Sequence, residues 1–367
     1  MAQRIVLITS AMCKGGAETQ LVKLAFFLKS RNYQILIMSL KPINEFDIDF
    51  EKEGINIVYL KSWNPFSIIS NIKQFYDEIR DFKPNVVVAF MFISIIFARV
   101  LKKFLKFRLI SSIRIAVIPS KWYIPFKLTF GLDDLVVYNA NASKISFESK
   151  GIVKPNGVVI HNSIHIPQLR NPVDKAFPVD KFVWLCIAHF RWNKDYTTLF
   201  KAIQKLKGQN FEINIIGEYT AADNPHQTIK DLDIAEHVKI LGFQQNATSY
   251  LDAADAFVLS SFSEGMPNAL LEAMACAKPV VVTDIDCNRE VLNLAHCGFL
   301  SNREDEQDLA NKMSQMMVLD ANVRKELGLN GRSYIKEDFS HDEVMDNWLQ
   351  VISQESLSEY LTKHSLI

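Results

Sequence analysis

The sequence predicts an α/β protein built from two doubly wound, Rossmann-like domains. Apolar runs of strand length alternate with segments of helical periodicity in both halves of the chain, which is typical of parallel sheets. At 367 residues, the chain is long for a single hydrophobic core. Residues 166–180 contain three prolines and little periodicity, so we interpret them as a linker. The expected domains are therefore 1–165 and 181–349.

Seven apolar runs predict the strands of the first domain. They are Ile5–Thr9, Gln34–Ser39, Asn56–Leu60, Asn85–Phe90, Leu109–Ile113, Leu135–Tyr138 and Val158–His161. A helix is expected from about Ala17, because apolar residues then recur at helical spacing. These residues are Leu21, Leu24, Ala25 and Leu28.

The second domain repeats this alternation. Strands are expected at Phe182–Ala188, Phe211–Ile216, Val238–Leu241, Ala256–Ser260 and Pro279–Thr283. Helices are expected after Lys194, near Thr228 and after Asp305. Parallel sheets bind ligands at the carboxyl ends of their strands, so we expect the two domains to face each other across a central cleft that holds the site.

Composition and cysteine content indicate a folded protein of a reducing compartment. Hydrophobic residues make up 49% of the chain and aromatic residues 11%, as in globular proteins. The five cysteines are odd in number and include no Cys-x-x-Cys pair, which favours free thiols and argues against a zinc site. The opening apolar run is too short for a secretory signal, and Val86–Ala98 is too short to span a bilayer. We expect a cytoplasmic protein.

Charge is distributed unevenly, although the formal net charge is zero. Residues 1–170 hold 23 Lys and Arg against 12 Asp and Glu, a net charge of +11. Residues 171–367 hold 18 against 29, a net charge of −11. Either the two domains have solvated surfaces that differ, or the first domain faces an anionic partner.

The most informative segment, residues 264–279, reads EGMPNALLEAMACAKP and lies between two predicted strands. Glu264 is expected on a loop at the carboxyl end of the first strand, and Glu272 within the following helix. The helix start at Pro267–Leu270 presents backbone N–H groups that favour anions. Two carboxylates that can bind hydroxyls, beside such a helix start, suit a nucleotide-sugar.

This Glu-Gly-x-Pro-x4-Glu pattern resembles the family 4 retaining glycosyltransferases, whose two-domain architecture is called GT-B. The resemblance implies a UDP-sugar donor, no metal or other cofactor, and a last helix at about 350–367 that packs back on the first domain. It implies that Glu272 binds the ribose of UDP and that Glu264 acts in catalysis. The other donor contacts that it implies here are Gly265, Met266, Pro267, Asn268 and Ala269.

The loop KGGAE at residues 14–18 follows the first strand and opens the first helix. Paired glycines let backbone N–H groups approach a phosphate, although a plain tight turn would have the same sequence. The loop is not a Walker motif. It is similar to the family's N-terminal glycine loop, which implies that Gly15 and Gly16 line the donor phosphate and the acceptor side.

Residues 187–196, IAHFRWNKDY, resemble the family segment in which an arginine and a lysine bind the donor diphosphate. Lys194 occupies the lysine position. His189 stands at the arginine position, and Arg191 follows two residues later. Either Arg191 has become the second cation, or His189 serves as a hydrogen-bond donor. An exposed arginine and a core histidine are the structural alternatives.

Three further positions are similar to ligand contacts of the family. Gly217 ends a buried strand, as the nucleotide-contacting glycine loop does, although the second glycine of that loop is missing. Phe243 belongs to a segment that faces the base, and Arg114 stands where some members with lipid-linked acceptors carry an arginine that would contact a sugar or phosphate. A core phenylalanine and an outward-facing arginine are the structural alternatives. Residues 159–164, VIHNSI, are interpreted as structural.

We therefore expect a retaining, metal-independent hexosyltransferase that moves a hexose or N-acetylhexosamine from a UDP-sugar to a glycan. The resemblance to enzymes of O-antigen and surface-polysaccharide assembly implies an acceptor linked to polyprenyl diphosphate and no nucleic-acid partner. A nucleotide-sugar epimerase with the same fold and a non-catalytic subunit that binds sugar nucleotides stay open as alternatives. The Asp-x-Asp sequences at 47–49 and 284–286 are interpreted as accidental.

The first domain is also expected to dock on the anionic inner face of the cytoplasmic membrane. Residues 99–108, RVLKKFLKFR, mix basic and large apolar residues at helical spacing. Residues 121–127, KWYIPFK, add interfacial aromatic side chains. A core helix with snorkelling lysines would explain the same pattern.

Overall fold

A computed structural model describes residues 3–60, 68–155, 157–169, 180–220 and 223–353 of the chain. The chain divides into two compact units, the first made of Met1–Ser163 with Asp342–Ile367 and the second of Ile164–His341. Each unit has its own parallel sheet, so the α/β class predicted from the alternating pattern is confirmed. Most of the linker predicted at 166–180, and the end of the helix predicted at 350–367, lie outside the described residues.

The described residues of the first unit form a parallel sheet of seven strands. These strands are β1 (Arg4–Thr9), β2 (Gln34–Ser39), β3 (Asn56–Tyr59), β4 (Val86–Phe90), β5 (Arg108–Ile113), β6 (Leu135–Tyr138) and β7 (Val158–Val159). Their order across the sheet is β3-β2-β1-β4-β5-β6-β7, so the chain changes direction between β1 and β4. Apart from the edge strand β3, the strands are largely buried on both faces, which explains why they read as continuous apolar runs.

Helices cover both faces of this sheet. They are α1 (Gly16–Ser30), α2 (Ile68–Phe82), α3 (Phe92–Lys102), α4 (Ser120–Thr129) and α5 (Asn141–Ser149). One core cluster joins α1 to one face of the sheet, and another joins α2, α3 and α5 to the opposite face. Burial of these faces supplies most of the driving force for the layered arrangement.

In the second unit, the described residues form a six-stranded parallel sheet in the order β10-β9-β8-β11-β12-β13. Its strands are β8 (Phe182–Ile187), β9 (Phe211–Ile216), β10 (Val238–Gly242), β11 (Ala256–Leu259), β12 (Val280–Thr283) and β13 (Gly298–Ser301). The sequence analysis did not predict β13, because this edge strand is only four residues long and opens with a glycine. A Cβ at Gly298 would lie 1.8 Å from the Val280 carbonyl oxygen, so the close approach to β12 requires glycine.

The helices that follow are α6 (Tyr196–Lys205), α7 (Pro225–Asp231), α8 (Ala247–Ala253), α9 (Asn268–Ala275), α10 (Asp286–Ala295), α11 (Glu306–Val318), α12 (Ala321–Asp338) and α13 (His341–Ser353). The last of them, α13, packs into the core of the first unit. Val344, Trp348 and Val351 are buried there against strands and helix α1. The chain therefore returns to the first unit at Asp342, whereas the sequence analysis placed this return at about residue 350.

Residues 99–108, expected to be a basic amphipathic segment, do not form one continuous helix. Helix α3 ends at Lys102, and β5 begins at Arg108. Arg99 is completely buried and binds Asp133 through two hydrogen bonds, Nε–Oδ1 of 2.8 Å and Nη2–Oδ2 of 2.5 Å. A buried charge requires such a partner, and the partner lies far away in the sequence, so spacing alone could not show it.

Two other cations of this segment also bind within the first unit. Lys102 donates to the Leu132 carbonyl and pairs with Asp134, and Arg108 donates to the carbonyls of Val351 and Ile352. Lys103, Phe104 and Lys106 of the same segment are exposed, so internal acceptors bind only some of its basic side chains. Membrane docking through residues 99–108 stays a prediction.

Candidate active site

The carboxyl ends of β8 and β11 form the switch point of the second sheet. These strands are neighbours, but the chain continues from β8 towards β9 and β10 at one edge, and from β11 towards β12 and β13 at the other. The loops that leave the two strands therefore diverge, and ligands of parallel sheets bind in the crevice between such loops. Lys194 follows β8 and Glu264 follows β11. The structure thus brings together two side chains that the sequence analysis had assigned to catalysis.

The ammonium Nζ of Lys194 and the carboxylate Oε1 of Glu264 form an ion pair. Only 20% and 13% of the two side chains are exposed, so solvent screens the pair weakly. An ammonium group has three N–H donors. Among the described residues Lys194 uses one of them on Glu264, which leaves donors for an incoming anion.

Hydrogen bonds fasten the two loops to each other. The Ser260 hydroxyl donates to the Lys194 carbonyl over 2.9 Å, and Asn193 Nδ2 donates to the Ser263 carbonyl over 2.9 Å. The Phe262 N–H donates to the Asn193 carbonyl over 3.0 Å. Lys194 is therefore held in place before any ligand binds. The sequence analysis missed Ser260 and Asn193, since neither carries a local signal of its long-range partner.

Helix α9 begins four residues after Glu264, and its N-cap residue Pro267 makes no side-chain cap hydrogen bond. Pro267 stands just before the helix, not at its first position, with φ −76° and ψ 109°. The backbone N–H groups of a helix start carry partial positive charge and suit an anion. Gly265, Met266, Pro267, Asn268 and Ala269 all lie in this turn, as the predicted donor segment requires. Glu272 follows within α9 and is half-buried.

His189 follows β8 and accepts a hydrogen bond at Nδ1 from the Glu218 N–H, over 3.1 Å. A nitrogen that accepts carries no proton, so the proton of this ring lies on Nε2. The Glu218 carboxylate Oε2 lies 3.8 Å from the same nitrogen. Both roles considered above for this loop, Arg191 as the second cation and His189 as a hydrogen-bond donor, stay predictions. Arg191 is exposed, and among the described residues its guanidinium has no hydrogen bond or ion pair.

Gly217 lies where β9 ends and packs against the loop after β8. A Cβ there would lie 1.9 Å from the Ala188 carbonyl oxygen, so no other residue fits without backbone movement. The Gly217 N–H donates to the Gly242 carbonyl over 2.9 Å, and Phe243 follows with 47% of its surface exposed. The predicted nucleotide-contacting residues of β9 and β10 therefore share the carboxyl edge with Lys194.

In the first unit, Arg114 is buried at the carboxyl end of β5, not directed outwards. Nε donates to Ser112 Oγ over 2.9 Å, and Nη1 donates to the Ile160 carbonyl and to Asn162 Oδ1 over 2.9 and 3.0 Å. Removal from water lowers the pKa of this guanidinium to about 9, so it keeps its charge at neutral pH. Among the described residues Nη2 has no hydrogen-bond partner.

The glycine loop of the first unit lies at the switch point between β1 and β4. Gly15 precedes α1 with an extended backbone, and Gly16 is the first helical residue. Across the switch point, Met91 has φ +69° and ψ 161°, a conformation that is almost restricted to glycine. Its N–H donates to the Ser112 carbonyl over 3.0 Å. The strain at Met91 was not predicted, because Met91 lies within an ordinary apolar run of the sequence.

The two Asp-x-Asp sequences bind cations of the protein itself. Arg289 pairs with Asp284 and Asp286 over 2.8 and 2.9 Å. Asp47 pairs with Lys14, and Asp49 with Lys52, both over 3.0 Å.

Solved structures of the same architecture cover nearly the whole chain. Anabaena HepE in complex with UDP and glucose matches with a TM-score of 0.84 over 96% of this chain and 99% of its own, at 18% identity. A glycosyltransferase from Rickettsia africae matches with a TM-score of 0.83 over 96% and 98%, at 18% identity. The chain has the GT-B fold.

Residues 168–334 of this GT-B chain match the family model described as glycosyl transferases group 1. The matched range includes Lys194, Glu264 and Glu272. The lipopolysaccharide core biosynthesis glycosyltransferase LpsE of Rhizobium meliloti is 28% identical over 184 residues, which are 49% of this chain and 53% of the relative. The chain thus spans about half the length of this relative.

A second relative aligns with the GT-B chain almost end to end. It is the GalNAc-alpha-(1->4)-GalNAc-alpha-(1->3)-diNAcBac-PP-undecaprenol alpha-1,4-N-acetyl-D-galactosaminyltransferase of Campylobacter jejuni, 25% identical over 96% of this chain and 98% of its own. The family model and both relatives are thus described as glycosyltransferases. Within the described ranges, no helix has both the length and the apolar character needed to cross a membrane.

Proposed function

We propose that this protein is a retaining family 4 glycosyltransferase that transfers a sugar from a UDP-sugar to a lipid-linked glycan. The observation that carries the proposal is the Lys194–Glu264 ion pair, held at the switch point of the second sheet beside the uncapped start of α9. A fixed ammonium and a helix start are the groups that a departing diphosphate needs.

The donor site would use one edge of the second sheet. Lys194 and the α9 start bind the diphosphate, Glu272 accepts hydrogen bonds from the ribose hydroxyls, and the segment at Phe243 faces the base. The match to HepE, whose structure contains UDP and glucose, supports UDP as the nucleotide. His189 donates through Nε2 to the sugar or a phosphate oxygen, a role that fits the hydrogen bond it accepts at Nδ1.

Transfer with retention follows if the acceptor attacks from the face that the diphosphate leaves. The bond between the anomeric carbon and the β-phosphate oxygen breaks, and the acceptor oxygen bonds to the same face of that carbon. The acceptor proton passes to the departing phosphate oxygen, so the step is balanced without a protein base. Lys194 stabilises the negative charge as it grows, which lowers the barrier more than it strengthens substrate binding.

The acceptor is proposed to be a glycan on polyprenyl diphosphate, in O-antigen or surface-polysaccharide assembly. The Campylobacter relative carries an undecaprenol-linked acceptor in its name, and the Rhizobium relative is named for lipopolysaccharide core biosynthesis. Arg114 is a buried cation with no carboxylate partner among the described residues, and its Nη2 would bond a phosphate or sugar oxygen. Such an acceptor places the protein on the inner face of the cytoplasmic membrane.

Helix α4 offers a second surface for membrane docking, beside the exposed Lys103, Phe104 and Lys106. Its exposed face combines Lys121, Ile124, Lys127 and Leu128, and the helix contains no acidic residue. Ile124 and Leu128 are 67% and 80% exposed. A short helix with exposed aliphatic side chains and cations can lie in the headgroup layer of an anionic membrane.

Liposome co-sedimentation tests this docking. Binding should require anionic lipid and fall as salt rises, because exposed charges are screened. The double variant Ile124→Glu/Leu128→Glu should stay in the supernatant, whereas Val318→Glu, which alters an equally exposed residue of the second unit, should bind like the wild type. Equal recovery of the wild type with and without anionic liposomes would remove the membrane claim.

The activity is tested by measuring UDP release from UDP-sugars in the presence of short-chain polyprenyl-diphosphate glycans. NMR of the product should show the anomeric configuration of the donor, and EDTA should leave the rate unchanged. Inversion contradicts retention, and loss of activity in EDTA that Mg²⁺ restores contradicts metal independence. Tight UDP binding without turnover would instead identify a non-catalytic subunit, the alternative that the His189 replacement keeps open.

A further inference from the structure

The exposed aromatic rings of the second unit lie at one edge of its sheet. In the described part of this unit, Trp192, Tyr219 and Phe243 are 80%, 42% and 47% exposed. They follow β8, β9 and β10 respectively, so all three rings lie at the carboxyl ends of neighbouring strands. Exposed aromatic side chains that gather at the ligand-binding edge of a sheet indicate recognition of a ligand.

Trp192 forms a pair with Phe262 at the switch point. The ring centroids lie 4.9 Å apart with a 53° angle between the planes. The guanidinium of Arg303 lies 5.1 Å from the Phe262 centroid, which places a set of N–H donors beside the rings. The hydrogen bond from the Phe262 N–H to the Asn193 carbonyl joins the two loops that carry the rings. The pair is thus preorganised by the same contacts that hold Lys194.

We propose that Trp192 and Phe262 form a platform on which a pyranose ring of the acceptor glycan stacks, with Arg303 bonding its hydroxyl groups. This inference rests on the proposed transferase function. The C–H face of a pyranose is apolar and flat enough to pack on an aromatic ring, and aromatic side chains lose little conformational entropy when they bind. The two rings belong to the same hydrogen-bonded loops as Lys194 and Glu264, so a sugar stacked on them would lie at the switch point that is proposed to hold the diphosphate.

The nucleotide base is the competing occupant, and the position of the platform argues against it. Phe243, in the segment that faces the base, follows β10, and strand β9 separates β10 from β8. Phe262 follows β11 and Arg303 follows β13, on the other side of β8. The platform therefore extends from the switch point away from the predicted base site.

Fluorine NMR of protein labelled with 5-fluorotryptophan tests the platform directly. The chain has five tryptophans, and the spectrum of Trp192→Phe assigns the Trp192 signal. Titration with methyl glycosides of glucose, galactose and their N-acetylamino forms, with and without UDP, should shift this signal saturably. The signals of buried Trp184 and Trp348 should not move. Absence of a shift, or an equal shift by uridine alone, overturns the proposal.

Kinetics provide the second test. Trp192→Ala should raise the KM for the acceptor by about tenfold and leave the KM for the UDP-sugar within about twofold, since stacking contributes to one substrate only. Trp192→Phe should keep most of the affinity, and Val318→Ala, an exposed apolar control, should behave like the wild type. Equal effects on both KM values overturn the proposal. Calorimetry with UDP tests the donor site separately. Absence of UDP binding would contradict the transferase function, whereas the glycoside titration would still test the platform.

Discussion

The guanidinium of Arg114 lies 5.4 Å from the ring centroid of Trp348, a residue of the last described helix. Phe90 stacks on the same indole with ring centroids 6.0 Å apart, and its own centroid lies 5.8 Å from the guanidinium. Within the described part of the chain this buried cation has no carboxylate partner, and two π faces and neutral oxygen acceptors stabilise it. Helix α13 therefore positions a group of the candidate acceptor site as well as completing a core.

Replacing Trp348 should destabilise the first unit. Trp348→Ala removes a ring that is 2% exposed, and such truncations cost about 3–5 kcal/mol. Urea unfolding should show a lower midpoint, with Trp348→Phe closer to the wild type because an aromatic face remains over Arg114. An unchanged midpoint for Trp348→Ala would contradict the packing of α13 described above.

Lys194→Ala should lower kcat more than it raises the KM for the UDP-sugar, since the charge on the diphosphate grows in the transition state. Glu264→Gln tests the other half of the ion pair and should also lower kcat, because the ammonium loses its anchor. Initial rates over a matrix of donor concentrations separate the two parameters. A rise in KM at constant kcat for Lys194→Ala would show instead that Lys194 binds the ground state and the transition state equally well.

Initial rates measured in the same way on Arg191→Ala and His189→Ala compare the two candidates for the missing family arginine. The structure leads us to expect a large loss for His189→Ala, whose Nδ1 is occupied by the Glu218 N–H, and a small one for exposed Arg191→Ala. If both variants behave as the wild type, the diphosphate model for this loop is wrong.

Glu272→Gln should weaken UDP binding by about tenfold or more, because a hydrogen bond to a charged acceptor contributes roughly 1.5–3 kcal/mol. The fold should be preserved, since Glu272 is half-buried in α9 and the amide has nearly the same shape. Calorimetry with UDP measures the change, and thermal unfolding without ligand provides the control. Unchanged affinity would remove Glu272 from the donor site.

Gly217→Ala should destabilise the second unit by at least about 2 kcal/mol, the cost of forcing an added methyl into packed backbone. The matched control is Gly208→Ala, where no atom lies within 4 Å of the new Cβ. Urea unfolding compares the two variants. Equal midpoints would show that the backbone beside Ala188 can move, and would leave Gly217 with a role in ligand contact alone.

Most strands were predictable because they are apolar runs buried on both faces. Gln34–Ser39 was predicted and is observed with the same bounds. Strand β13 escaped because its glycine is explained only by the approach of β12, a partner that no local pattern reveals. The α9 segment, by contrast, was predictable because its loop, helix start and carboxylates lie within one continuous stretch of sequence.

Long-range partners account for what the sequence analysis missed or misread. Arg99 looked like one cation of a basic surface until Asp133 was seen beside it, completely buried. The Lys194–Glu264 pair depends on which strands are neighbours, and the order β8-β11 follows from the packing of the whole sheet. Nothing in the sequence marks Trp192 as a ligand contact, because its exposure and its contact with Phe262 both arise only in the folded unit.

The return of α13 to the first unit has a consequence for the order of events during synthesis. Trp348 and its neighbours complete the core of the first unit, yet the ribosome makes them after the whole of the second unit. The second unit is continuous in sequence, so it can fold while the polypeptide that precedes it still lacks its final helix. In the nascent chain, the apolar surface that α13 covers stays exposed until translation has passed residue 353, and this interval is when chaperones would be most needed.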